Sequence, residues 1–199
     1  MGRLLLLVVT LSAGLLLAGL WIPFKAVVAQ ELLTMAWART QASQVESRPW
    51  PWADTWPVAR LQLPGEKSAL VVLSGGHGES LAFGPGQVTG PGLGERPRSP
   101  VVVAGHRDTH FRPLKDIRQG QEIRLQFADG AWRRYRVDSL KVVDSRQQQM
   151  DLSHYNRNSL VLVTCYPFDA LDANGPLRFV VEASRDMAWP ADDQPPAGV

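Results

Sequence analysis

From Pro57 onward the chain is a succession of short apolar segments cut by glycine, proline and polar turns. No sustained 3.6-residue period survives beyond that point, so strands rather than helices must supply the core. The strand segments are "VARLQL" (58–63), "ALVVLS" (69–74), "SPVVVAG" (99–105), "EIRLQFAD" (122–129), "WRRYRVDSLKVVD" (132–144), "SLVLVTC" (159–165) and "LRFVVEA" (177–183). Apolar and polar residues alternate from Trp132 to Val137, and Asp129-Gly130 marks a tight hairpin turn. Residues 84–98, "GPGQVTGPGLGERPR", carry so much glycine and proline that they read as loop throughout. Seven or more short strands at this spacing predict an all-β fold, a closed or nearly closed β-barrel.

The N-terminus obeys a different rule. Leu4 to Phe24 carries no charge and is flanked by Arg3 and Lys25. About 20 such residues in a helix cross a bilayer. A cleaved signal sequence is the rival, with Val27 and Ala29 as small residues before a cut at Gln30. The run is longer than the roughly 7–15 apolar residues of a signal core, which favours a retained anchor over 1–24. Trp21 then sits at the outer interface, and Arg3 keeps the extreme N-terminus in the cytoplasm. The bulk of the chain is therefore expected to be exported, on the far side of the membrane. From Lys25 to Gln44, Val28, Leu32, Met35 and Ala36 fall on a helical period, predicting a juxtamembrane helix that serves as a spacer. The lead-in to Pro57 is rich in proline and tryptophan, a semi-rigid stretch whose Trp50, Trp52 and Trp56 can pack on the domain. The barrel is expected over 58–186 and a ragged tail over 187–199. With 21 basic and 19 acidic residues spread along the chain, no cationic block exists to track nucleic-acid phosphates.

The single cysteine, Cys165, closes the apolar run "LVLV" just before Pro167, a residue that ends strand pairing. It therefore lies at a strand end, at the rim of the barrel. "VVVAGHRDTHF" brings His106 to a second strand end, and Arg178 stands just after the Gly175-Pro176 turn, at the start of a third strand. Three strand ends of a barrel can converge in space while lying far apart in sequence. A thiolate is the nucleophilic form of cysteine, an imidazole can protonate a leaving amine, and a permanently charged guanidinium can steady an oxyanion. Together they make an acyl-transfer site. Taken singly, each residue has a plainer role: a buried thiol, a loop imidazole, a solvated strand-end cation.

The surrounding residues resemble a known family. "VLVTC" is similar to the TLxTC signature of the sortases, "TCYPF" with "GPLRFVVEA" to the nucleophile and arginine strands of class D, and "VVVAGHRDTHF" to the histidine segment. "LAFGPGQVTGPG" resembles the Gly-rich stretch that precedes that segment in class D, and "PWPWADTWPVARL" is similar to the lead-in of sortases from Gram-negative bacteria. The resemblance runs from about Ala59 to Ala183, with the motifs in family order. It implies an eight-stranded β-barrel transpeptidase, anchored outside the membrane, that cuts an LPxTG-like C-terminal signal of an exported protein after Thr. Carried over, Cys165 attacks the Thr carbonyl and forms a thioacyl enzyme. His106 protonates the departing amine and deprotonates the incoming one, and Arg178 steadies the oxyanion. The acceptor is an amine of the cell envelope, and no cofactor is called for. One departure is Val161, which stands at the first Thr of the signature and bears on strand packing more than on chemistry.

Other readings compete with this one. His106, Asp108 and His110 lie within "HRDTH" and could bind metal, but ligands elsewhere would be needed, and only His77 and His154 remain as histidines. His77 is expected on an exposed loop, and His154 on the long loop 145–158 beside the cleft. Asp108 and Thr109 match the family's "HRDT" pattern and are expected to shape the histidine loop. A different cell-envelope cysteine transpeptidase and a non-catalytic binding module complete the alternatives.

Overall fold

In the computed structural model, which describes residues 2–76, 78–93, 95, 99–147, 151–170 and 175–185, eight strands close into a barrel. They are β1 (Pro57–Gln62), β2 (Leu70–Ser74), β3 (Gly86–Thr89), β4 (Val101–Ala104), β5 (Glu122–Phe127), β6 (Trp132–Asp144), β7 (Ser159–Cys165) and β8 (Leu177–Arg185). The order around the barrel is β1-β2-β3-β4-β7-β8-β6-β5. His77 and the tail from Met187 lie outside the described residues.

One strand contradicts the sequence reading, since Gly86–Thr89 is not loop. It pairs parallel with β2 and antiparallel with β4. Its glycines are there because backbones meet: a Cβ on Gly86 would stand 2.1 Å from the Gly75 carbonyl oxygen, and one on Gly84 would stand 2.7 Å from that of Val71. A composition typical of turns thus conceals the element that closes the barrel.

The interior is filled by inward positions of every other strand residue, among them Leu61, Val103, Leu125, Tyr135, Leu162 and Val181. The loop after β4 adds Phe111 and Leu114, both fully buried. Strands β4, β7 and β8 are covered on their outer face as well. There Val102, Val161 and Val180 form a second cluster, packed against Val143, Leu152, Tyr155 and Val163. Burial on both faces explains why "VVVA" and "LVLV" are continuous apolar runs rather than alternating ones. Val161 belongs to this outer cluster.

The cover over that face is tied down by a carboxylate. Glu182 of β8, its side chain 15% exposed, accepts hydrogen bonds from the hydroxyls of Tyr155 and Ser139 and from Lys141 Nζ. Burial alone would raise the Glu182 pKa, but the donors Lys141, Ser139 and Tyr155 outweigh it and hold the carboxyl below its ordinary value. Tyr155 is pushed up to about 12, by burial first and then by its bond to the Glu182 charge.

Helix α1 (Gly2–Ser43) is continuous through Pro23, so the anchor and the juxtamembrane segment form one rod. Its described apolar side chains from Leu4 to Val28 are exposed, and burial begins at Ala29. The docked face is Ala29, Leu33, Ala36, Trp37 and Thr40: Ala36 is buried as expected, while Ala29 and Leu33 take the places expected of Val28 and Leu32, and Met35 is exposed. Helical spacing is right, but Trp37 and Leu33, rather than Met35, hold the larger area to bury. The segment is therefore packed on the barrel and not a bare spacer: Gln30 Nε2 donates to the Phe83 carbonyl and Gln44 Nε2 to that of Ala128. Of the lead-in tryptophans, Trp50 packs edge-on against Phe83 at 5.1 Å, while Trp52 stays exposed.

Because the folded pKa of Glu182 is depressed, its stabilisation is present above the unfolded value near 4.5 and is lost as pH falls through the folded value. Glu182→Gln, which removes the charge and keeps the shape, is expected to cost about 1–3 kcal/mol at pH 7 and progressively less below pH 4.5. Urea unfolding of both proteins between pH 3 and 7 measures this, and a pH-independent difference contradicts it.

Candidate active site

The positions of Cys165, His106 and Arg178 follow from strand register. In the parallel β4–β7 ladder Val101 pairs with Leu160, Val102 with Val161, Val103 with Leu162 and Ala104 with Val163. Pairing persists one residue past β4, since Gly105 N donates to the Val163 carbonyl at 3.1 Å. The Thr164 hydroxyl, buried, donates to the Gly105 carbonyl at 2.7 Å. Counted one step further, past the last paired residues, the same register would set His106 opposite Cys165. On the other flank, in the antiparallel β7–β8 ladder, Cys165 pairs directly with Arg178. Cys165 and Arg178 therefore form a cross-strand pair, and His106 stands two residues past the end of the strand on the other side of β7.

Side-chain parity puts Cys165 and Arg178 on the same face, and continued past β4 it would put His106 there too. Val161 and Val180 point outward, and Cys165 and Arg178 stand at even steps from them on their strands. On the third strand Gly105 is the inward position: a Cβ there would meet the Phe111 ring at 2.8 Å, so only glycine fits. His106, the next residue, is directed outward. The site accordingly sits on the outer face of β4-β7-β8 at the barrel rim. His106 is exposed, and Cys165 and Arg178 are half-buried.

Each member is braced by its own surroundings. Arg178 Nη1 donates to the carbonyls of Gly175, at 2.6 Å, and Leu177, at 2.9 Å, fixing the guanidinium at the start of its strand. After Cys165, Tyr166 N donates to the Leu177 carbonyl at 3.0 Å, so pairing runs one residue beyond the cysteine. Tyr166, Phe168 and Phe179 form an aromatic trio with centroids 5.4–6.2 Å apart, packing the chain that leaves the nucleophile. The histidine loop is closed by Phe111 N donating to the His106 carbonyl at 3.0 Å. Within it, Thr109 Oγ1 and His110 Nδ1 lie 3.2 Å apart. Burial first, and the neighbouring His106 second, hold the His110 pKa below its ordinary value, so His110 stays neutral at neutral pH.

Other sequence candidates are arranged differently. Asp108 is exposed and lies 3.4 Å from Arg107 Nε, and His154 is exposed and pairs with Asp151 at 3.2 Å on the 145–158 loop. Among the described residues, His106, Asp108 and His110 are not part of any three-ligand metal group. An open, polar cavity of about 480 Å³ adjoins the histidine loop, lined by Arg107, Arg112, Lys115, Asp169 and their neighbours, and Cys165, His106 and Arg178 do not line it. Arg107 was not singled out by sequence. Beside "DTH" it reads as a solvated loop cation, yet it is 3% exposed.

Comparison with known proteins bears on the family and the fold. A family model described as the sortase domain matches residues 61–186. Sortase D of Bacillus subtilis (strain 168) is 27% identical over 125 residues, which cover 63% of this chain and 62% of that protein, less than two thirds of its length. Among solved structures, sortase A from Corynebacterium diphtheriae superposes with a TM-score of 0.58 at 24% identity, covering 71% of this chain and 66% of the other. A Clostridium perfringens sortase D5 transpeptidase gives 0.56 at 17% identity, covering 80% and 99%. The structural likenesses speak for the fold. The sortase-domain match extends over more than half of the sequence, and the chain belongs to the sortase family.

Proposed function

We propose that this protein is a sortase-type cysteine transpeptidase, with Cys165 as nucleophile, His106 as general acid and base, and Arg178 as oxyanion donor. The observation that supports the reading is the Cys165–Arg178 pair on one flank of β7, with the β4 register continued by the Gly105 bond to Val163 on the other. The Cys165 thiolate adds to the carbonyl carbon of Thr in an LPxTG-like signal, and the carbonyl pair moves to oxygen. Arg178 meets that oxyanion with N–H groups other than those on the Gly175 and Leu177 carbonyls; a guanidinium has five. Collapse breaks the Thr–Gly bond, and protonated His106 gives its proton to the departing glycine amine. In the second half an acceptor amine attacks the thioester, His106 takes its proton, and the thiolate leaves. A neutral His110 alongside keeps a second positive charge away from His106 as it cycles.

The substrate of this reading is an exported protein bearing such a signal, and the acceptor an amine of the cell envelope. Residues 1–24 serve as a retained anchor, 25–57 as docked stalk and lead-in, and 58–186 as the catalytic barrel on the periplasmic side. Helix α1 is long and apolar enough to cross a membrane. Its docked face begins at Ala29, five residues after Phe24, so the barrel is held roughly 8 Å from the end of the apolar stretch at the helical rise.

Incubation with an LPxTG peptide and a small amine, followed by mass spectrometry, is expected to give the joined product. Cys165→Ala abolishes joining, and Arg178→Ala lowers turnover by roughly 10²–10³-fold. Hydrolysis that a chelator suppresses, or wild-type turnover by Arg178→Ala, contradicts the assignment. The anchor is checked by N-terminal sequencing of the membrane fraction. It predicts a chain that keeps the Leu4–Phe24 stretch, and a mature protein starting at Gln30 contradicts it.

A further inference from the structure

Arg107 follows the histidine, and its guanidinium is buried where a solvated loop arginine would cost nothing. What it does there is span two parts of the chain. Nη1 donates to the Pro167 carbonyl at 2.9 Å and Nη2 to the Ala170 carbonyl at 2.7 Å, 60 and 63 residues away. These two carbonyls bound one turn, in which Ala170 N donates to the Pro167 oxygen at 3.3 Å. A planar guanidinium presents parallel donors in a fixed fork, so the two bonds set both the distance and the orientation of that turn.

The turn begins two residues after Cys165, and Arg107 comes one residue after His106. On the opposite side of the same pair, Gly105 and Thr164 are joined by the 2.7 Å bond from the Thr164 hydroxyl. The His106–Cys165 pair is thus bracketed: Gly105 is tied to Thr164 before it, and Arg107 to Pro167 and Ala170 after it. Only the first tie is backed by a backbone bond between these segments, Gly105 N to the Val163 carbonyl. Without the second, the exposed imidazole stands on a loop whose far side has lost its fixed point against the chain leaving the nucleophile. Lys115 also reaches this turn, contacting Asp169 at 3.0 Å, but both of those side chains are exposed and the pair is weak.

Resting on the assignment of Cys165 and His106 above, we infer that Arg107 is a positioning residue, whose two carbonyl bonds hold the histidine segment at working distance from the nucleophile. It touches no reacting atom. Its loss therefore appears in the chemical step rather than in binding of the donor peptide, and a misplacement of about 1 Å can cost on the order of 10²-fold.

The test uses the full chain in detergent, an LPxTG peptide as donor and a small amine as acceptor. Arg107→Met is expected to lower kcat by roughly 10- to 100-fold with KM for the peptide within about twofold. Arg107→Lys keeps the charge but not the fork and is expected to recover part of that loss. The pH dependence of Cys165 alkylation by iodoacetamide is displaced from wild type in both variants, a readout independent of turnover. Lys115→Met stays within about twofold of wild type. If Arg107→Met does not fold, Arg107→Lys carries the test, and a lowered kcat at unchanged KM supports the proposal. Wild-type kcat and an unmoved alkylation profile in the folded variants overturn it, as does a loss of kcat that only tracks the unfolded fraction measured by circular dichroism. If those results come with an inactive Cys165→Ala, the positioning role alone falls. Joining by Cys165→Ala overturns the site assignment and this inference with it.

Discussion

The parallel ladder between β4 and β7 is the pairing that sets which residues are neighbours at the candidate site. It joins two apolar strands covered on both faces, and beyond their last paired residues it is prolonged by Gly105 N to Val163 and by the Thr164 hydroxyl to Gly105. A shift of one residue would turn every side chain to the opposite face. The inward set is packed against Phe111 and Leu162, and the outward set against Leu152 and Tyr155, so neither face tolerates the exchange. Hydrophobic packing thereby fixes the register, and the register fixes which residues of the strand ends are neighbours.

From that constraint the local chemistry follows by counting. Outward parity at Val161 and Val180 carries to Cys165 and Arg178, and the inward Gly105 leaves His106 outward. The same outer face is covered by the 145–158 loop through Tyr155 and Glu182, while the turn after Cys165 is held from the histidine side by Arg107. Stability and reactivity therefore draw on shared parts: apolar residues order the strands, and polar ties at their ends aim the side chains.

Much of this was legible in the sequence because the signals were local. Continuous apolar runs and an Asp-Gly turn gave seven of the eight strands near their observed places, and a cysteine before a proline, a histidine after "VVVAG" and an arginine after Gly-Pro marked strand ends. Residues 86–89 were hidden because glycine there answers to a neighbouring backbone, a contact that no local pattern records. The docked face of α1 was only partly legible for a related reason: Ala36 is covered as expected, but only the barrel surface decides that Trp37 rather than Met35 is covered beside it. Arg107 was invisible as a structural residue, since its partners lie 60 and 63 positions away.

The claim that three strand ends bring Cys165, His106 and Arg178 to one acyl carbon is tested most directly by a crystal structure of the adduct with an LPxT peptide ending in threonine aldehyde. The hemithioacetal formed at Cys165 imitates the tetrahedral intermediate. The account predicts its oxygen at about 2.7–3.1 Å from an Arg178 N–H donor, with the His106 imidazole on the leaving-group side. An adduct whose oxygen points away from Arg178, or an imidazole on the far face of the sheet, would contradict it.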